Sequence, residues 1–137
     1  MKLRIKGNSL RLRVTRPELA ALVEGGRVEE SIRFGPGPAD RLAYVLQVGT
    51  ASDGDDRDDG YASPLVAFAA NEVRVTLSPA AVRRWREPDR VAVEGRLPVG
   101  GGEVLHVLVE KDFACVDGPP GGEDPDAFPN PSAGRAC

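Results

Sequence analysis

Apolar residues fall on every second position at the start of the chain, with Leu3 and Ile5 between charged neighbours, then Leu10, Leu12 and Val14. A period of two over such short runs predicts two half-buried strands, Lys2–Lys6 and Ser9–Val14. Gly7-Asn8 between them suits a tight hairpin, because both residue types tolerate positive φ. The alternation stops at Thr15-Arg16-Pro17-Glu18, a capping-box pattern, and Leu19, Leu22 and Val23 follow at helical spacing until Gly25-Gly26. Strand character returns over Arg27–Phe34, where Val28, Ile32 and Phe34 share a face and Glu30 is the charged exception on it. Gly35-Pro36-Gly37-Pro38 predicts a turn, and Leu42–Val48, apolar on both faces, predicts a central strand.

The second half reads in the same vocabulary. An acidic loop, Asp53–Gly60, carries five aspartates and one arginine. Leu65–Ala70 and Val73–Leu77 predict a hairpin around Asn71-Glu72, and Ser78-Pro79 caps a short helix with Val82 and Trp85 that Pro88 ends. Val91–Leu97 and Val104–Val109 are the last predicted strands, joined through Pro98 and Gly100-Gly101-Gly102; after Phe113 no period persists. Thr15 and Ser78, and likewise Val28 and Val91, are 63 residues apart. The common order predicts a β-α-β-β unit used twice, over about 10–48 and 73–110, around a pseudo-twofold axis. The fold class expected is small α+β, with a mainly antiparallel sheet carrying both helices on one face, or a partly closed barrel. Residues 1–113 are expected to form a single domain, and 114–137 an acidic, proline-rich C-terminal arm docked through Phe113 and Phe128.

Length and composition narrow the class. At 137 residues and 41% hydrophobic content the chain suits one globular core. No apolar run approaches the ~18 residues that span a bilayer, and Met-Lys-Leu-Arg-Ile-Lys cannot serve as the core of a signal peptide. With only Cys115 and Cys137 present, the second at the very end, free thiols in a reducing compartment are expected; the expectation is a cytoplasmic protein without a membrane partner. Fifteen arginines against three lysines fit the amino-acid bias of a GC-rich genome, so an arginine-specific role has to be argued from position.

By strand parity Lys2, Arg4, Lys6, Arg11 and Arg13 stand opposite the leucines, and Arg74 and Arg96 join that face if the two units pair. Such a face can bind phosphate or another small anion through bidentate hydrogen bonds. Nucleic acid is not expected: the net charge is −3, and no aromatics are interleaved with the basic residues for stacking. The acidic segments can instead cover the basic face. Cys115, Glu123, Asp124 and Asp126, with His106 as a further donor, form a candidate metal set that matches no zinc spacing. His106 itself, between apolar neighbours, is expected inside or half-buried. No nucleophile elbow, phosphate loop or dinucleotide fingerprint occurs, so no catalytic residue and no cofactor is assigned. The leading expectation is a binding or accessory protein, monomer or homodimer, whose basic sheet face or docked arm meets a protein partner or a small anion. The enzyme alternative is a small barrel whose interior arginines hold an anionic substrate, with Glu30 or Glu94 holding a metal, and a third reading is a thiol-metal sensor at Cys115.

The opening Met-Lys-Leu-Arg-Ile-Lys-Gly-Asn-Ser-Leu-Arg-Leu-Arg, the Thr15–Glu18 box, and Glu110-Lys111-Asp112-Phe113-Ala114-Cys115 followed by Phe128-Pro129-Asn130-Pro131 resemble a family of short uncharacterised bacterial proteins, a domain of unknown function. The resemblance covers residues 1 to about 131. The aspartate-rich loop at 53–59 and the segment from Ser132 to Cys137 depart from it. It implies a bacterial, cytoplasmic, stand-alone domain and assigns no activity or ligand.

Overall fold

Two hairpins open the chain and two close it, and the way they are exchanged defines the architecture. The computed structural model describes residues 1–50 and 64–113 together with Asp126 and Phe128. Along these run β1 (Lys2–Lys6), β2 (Ser9–Val14), α1 (Arg16–Gly25), β3 (Arg27–Arg33), β4 (Arg41–Val48), β5 (Leu65–Ala69), β6 (Glu72–Leu77), α2 (Pro79–Trp85), β7 (Ala92–Gly100) and β8 (Glu103–Lys111). They make two open four-stranded sheets, ordered β1-β2-β8-β7 and β3-β4-β6-β5. Within each sheet two antiparallel hairpins meet along a central parallel pair, β2 with β8 and β4 with β6. The expected small α+β class with mainly antiparallel pairing is observed; among the described residues it is built as two open sheets, and neither a closed barrel nor one continuous sheet forms. Each helix leaves one sheet and delivers the chain to the other, so the strands divide into two sets and cannot close a single ring.

The registers of the two sheets correspond. Leu12 faces Val109 in the first sheet, and the residues 63 positions away, Val75 and Leu46, face each other in the second. Asn8 and Asn71 show the same relation: their carbonyls accept from the amides of His106 and Ala43. The correspondence fails at one place. Val93, not Val91, occupies the position matching Val28: it faces Val109 and is 3% exposed, whereas Val91 is 41% exposed. The helix here is shorter, seven residues against ten in α1, but the link after it is longer, so β7 starts two residues late. The correspondence of register also takes in a leading strand that the sequence pattern did not group with the rest, since β5 stands to β6 as β1 stands to β2.

Local chemistry explains the elements. The Glu18 carboxylate accepts from the Thr15 amide at 2.8 Å, the predicted reach-back of the capping box, and Gly26 ends α1 in the left-handed region with φ 75°. In α2 the Ser78 hydroxyl oxygen accepts from the Ala81 amide at 3.1 Å. One buried cluster joins Leu10, Leu12, Val14, Val107 and Val109 of the first sheet, Leu46, Val75 and Leu77 of the second, and Leu19, Leu22, Val82 and Trp85 of the helices. Trp85, 1% exposed, sends its indole N–H to the Val91 carbonyl at 3.2 Å, so its polar atom is satisfied as the ring is buried.

The central position expected for Leu42–Val48 is observed. Val45 is fully buried on the face of β4 away from the core, where its register neighbours are Glu29 and Arg74. Over that face Arg27 and Arg41 both pair with Glu29, at 2.8 and 3.2 Å, while Arg74 pairs with Glu72 at 2.5 Å. The aliphatic stems of these side chains shield the valine while their heads stay in water.

The β5–β6 turn places Ala70 and Asn71 at φ 50° and 59°. Asparagine tolerates this region and alanine does not, at a cost of about 1 kcal/mol. Ala70→Gly is therefore expected to raise stability by about 0.5–1 kcal/mol, read as a higher urea midpoint at unchanged slope. An unchanged or lower midpoint would show that the turn carries no such strain.

Candidate functional site

Pleating sends alternate side chains of the first sheet outward. The outward set on β1 is Lys2, Arg4 and Lys6, and on β2 it is Ser9, Arg11 and Arg13, since Lys2 pairs with Arg13, Arg4 with Arg11 and Lys6 with Ser9. The inward set, Leu3, Leu10, Leu12 and Val14, packs in or against the core. The basic residues of the first hairpin are thus gathered on one face.

Their surroundings differ from one end of the face to the other. At one end the charges are neutralised: Lys2 meets Asp112 at 2.7 Å, and Arg13 and Arg11 meet Glu110 at 2.6 and 3.6 Å. Towards the β1–β2 turn, the side chains of Arg4 and Lys6 form no hydrogen bond or ion pair among the described residues. Arg4 lies directly opposite Arg11, an arrangement that like charges destabilise. Arg4, Lys6, Ser9 and Arg11 line a cleft of about 200 Å³. The Ser9 hydroxyl donates to the Lys6 carbonyl at 2.5 Å and Arg11 is shared with Glu110, so Arg4 and Lys6 are the cleft's donors without a partner among the described residues.

From Lys6 and Ser9 the register continues to His106 on β8 and Arg96 on β7, so these four share one row across the sheet, facing outward. Arg96 also forms no ion pair among the described residues. His106 is exposed, not interior; its neighbours Leu105 and Val107 are turned inward, and the histidine takes the outward position between them.

Two sequence expectations are overturned by these placements. Arg74 does not join the basic face: it stands on the outer face of the second sheet, bound to Glu72, because the halves exchange hairpins and β6 never enters the first sheet. Nor do the described arginines meet Glu30 or Glu94 in a barrel interior: Arg4, Arg11 and Arg13 face outward from the first sheet and Arg74 from the second. Glu94 is exposed on the outer face of β7, and Glu30 shares the inward parity of β3 with Val28 and Ile32.

Glu30 belongs to a second polar cluster. The Met1 α-ammonium is buried and pairs with Glu18 and with Glu30, the latter at 2.6 Å; Glu30 also accepts from the Tyr44 hydroxyl at 3.0 Å. Burial pulls the ammonium's pKa down, but the hydrogen bonds and charges of both carboxylates hold it above the ordinary value. Burial likewise pushes Glu18 up, and the ammonium together with the Thr15 amide brings it below the usual carboxylate value. Burial, then Glu30, raises the Tyr44 phenol. The positions 63 residues on from Met1, Glu18 and Tyr44 hold Pro64, Ala81 and Val107, all buried, and Gly95 takes the place of Glu30 through the two-residue shift of β7. The charged cluster in one half thus has a small, apolar counterpart in the other. Glu30 on an apolar face was its signal in the sequence; nothing there marked Met1 or Tyr44.

Of the candidate metal set, Cys115, Glu123 and Asp124 lie outside the described residues, as does the acidic loop at 53–59. Asp126 serves through its backbone: its carbonyl accepts from the first amide of α1, that of Arg16, at 3.0 Å. No cluster of three or more metal-ligating side chains occurs among the described residues. Beside Asp126, the rings of Phe113 and Phe128 meet edge to face at 6.0 Å, and the Lys111 ammonium lies 5.3 Å from the centre of the Phe128 ring. Lys111 is buried and donates to the Glu87 carbonyl at 2.9 Å, and burial lowers its pKa.

The chain belongs to a family of unknown function (DUF7009), whose model matches residues 1–132. No match was found among curated proteins or among solved structures. No helix among the described residues is long and apolar enough to cross a membrane.

The Met1 cluster predicts a two-sided pH profile. A raised ammonium pKa contributes stability that is complete below about pH 8 and fades as pH rises through the folded value. A lowered Glu18 pKa contributes stability that is complete above about pH 4.3 and fades as pH falls. Glu18→Gln is expected to cost about 1.5–3 kcal/mol at pH 6–7 and to flatten the alkaline decline in urea-denaturation series. An alkaline limb as steep as in the parent protein would remove the ammonium–Glu18 pair from the account.

Proposed function

We propose that this is a cytoplasmic binding protein whose first sheet receives a phosphate-type anion between Arg4, Lys6 and Arg11. The observation that supports this most is an uncompensated one. Every other strand arginine or lysine among the described residues has a partner: Lys2, Arg11, Arg13, Arg27, Arg41 and Arg74 meet carboxylates, Arg33 meets the Pro36 carbonyl, and Lys111 the Glu87 carbonyl. Among the described residues Arg4, Lys6 and Arg96 have none, and Arg4 is set against another arginine. A local rule broken without compensation is what a binding site looks like before its ligand arrives. The anion supplies the missing charge, and guanidinium forks read its oxygens in pairs.

The donors point outward from an open sheet face, so the chemistry they support is capture of an anion and not its conversion. A bound phosphoryl group on a small molecule or on a protein partner presents the same oxygens to them.

One variant separates this role from a structural one. Arg4→Gln is expected to stabilise the free protein by about 0.5 kcal/mol, because it relieves the repulsion with Arg11. The same variant is expected to weaken inorganic phosphate binding at least fivefold in an NMR titration at fixed ionic strength. Loss of stability together with unchanged phosphate affinity would overturn the proposal.

A further inference from the structure

The basic face does not end at the cleft. Lys6 and Arg96 stand at opposite ends of one cross-strand row, with Ser9 and His106 between them. Three strand spacings separate these ends, about 14 Å between backbones. A single phosphate seated between Arg4, Lys6 and Arg11 leaves Arg96 out of reach, although Arg96 is the third strand cation without a partner among the described residues.

The neighbouring row shows that direction matters. It runs Arg4, Arg11, Leu108, Glu94. An anion extending along it would pass an apolar side chain and then meet a carboxylate. Along the row beside it, the anion meets a small hydroxyl-bearing residue, an imidazole with two ring nitrogens, and a guanidinium. The charge pattern therefore forms a track: three cations at the β1–β2 end, a neutral step at Ser9, donors at His106 and Arg96, and a negative border at Glu94.

From this we infer that the ligand is an oligophosphate, a linear run of two or more phosphoryl groups, lying across the strands from the Arg4–Lys6–Arg11 cleft to His106 and Arg96. The inference rests on the anion-binding reading above and extends it from one group to several. Linked phosphoryl groups suit the track because each carries negative charge and acceptor oxygens on every side. Guanidinium, ammonium and imidazole donors can therefore approach successive groups from the sheet below. A planar carboxylate takes one fork and offers nothing further along. Among the described residues no phenylalanine, tyrosine or tryptophan stands on this face, where Leu108, Val104, Pro98 and Ala92 accompany the polar residues, and the one ring there, His106, is a donor of the track, so no further platform is left for stacking a base. Recognition is of the phosphate chain alone.

The test compares inorganic orthophosphate with inorganic tripolyphosphate by calorimetry on the full chain, at one pH and matched ionic strength. Tripolyphosphate is expected to bind at least tenfold more tightly. Arg96→Gln is expected to remove most of that advantage while leaving orthophosphate affinity within a factor of two. Arg33→Gln removes the same charge from the other sheet and controls for net charge; it is expected to preserve the tenfold ratio. Glu94→Gln is expected to strengthen tripolyphosphate binding two- to threefold. If orthophosphate binds in an Arg4-dependent way but tripolyphosphate gains nothing, or if Arg33→Gln and Arg96→Gln lower its affinity equally, the oligophosphate track is wrong and the single-anion site stands. If neither anion binds, the site itself is wrong.

Discussion

Hydrogen bonding between β2 and β8, and between β4 and β6, is the constraint on which the rest of the molecule depends. Parallel partners cannot be joined by a tight turn, so each of these pairs has to be drawn from distant parts of the chain. Leu12 meets Val109 from near the opposite end of the chain, and Leu46 meets Val75 across the whole of the segment that joins the two halves. Each sheet is completed only when a hairpin from one half is set beside a hairpin from the other. The helices follow from this arrangement, because α1 and α2 are the segments that carry the chain between sheets. The single core follows too, since the inward faces of both sheets and the apolar sides of both helices have only each other to bury against.

Much of this was legible one element at a time. Period-two runs gave the strands, Thr15–Glu18 and Ser78-Pro79 gave the helix starts, and the double-sided apolar character of Leu42–Val48 gave a central strand. Which strands pair was not legible, because hydrophobic alternation specifies a face and is silent about neighbours. Arg74 shows the consequence. Its outward parity was correct, but parity alone could not say that it looks out from the opposite sheet, where Glu72 already holds it. Val91 shows a second limit: a valine at the expected offset is indistinguishable from one two positions later until the length of the helix–strand link is known.

The candidate site was legible in the same partial way. Alternation in Lys2–Lys6 and Ser9–Val14 was enough to gather five cations on one face. It could not show that Lys2 and Arg13 are neutralised by Asp112 and Glu110, residues about a hundred positions away, while Arg4 and Lys6 are left open. His106 was misplaced because apolar neighbours in sequence are on the other side of the strand in space. Glu30 stood out as a carboxylate among inward-facing residues, and the structure gives the reason in the Met1 ammonium and the Tyr44 hydroxyl. The two halves match in register but diverge in charge: the first hairpin is basic where the second carries Ala67, Ala69 and Glu72.

The exchange of hairpins also sets an order of events during synthesis. When β1 to β4 have left the ribosome, β2 and β4 each still present one unpaired backbone edge, and the inner faces of both hairpins lack half of their cover. The second sheet can be completed once Leu77, the last residue of β6, has emerged, but the first waits for Lys111, the last residue of β8. The nascent chain must therefore carry the open edge of β2 through most of its translation, which makes it a natural client for factors that shield unfinished strands.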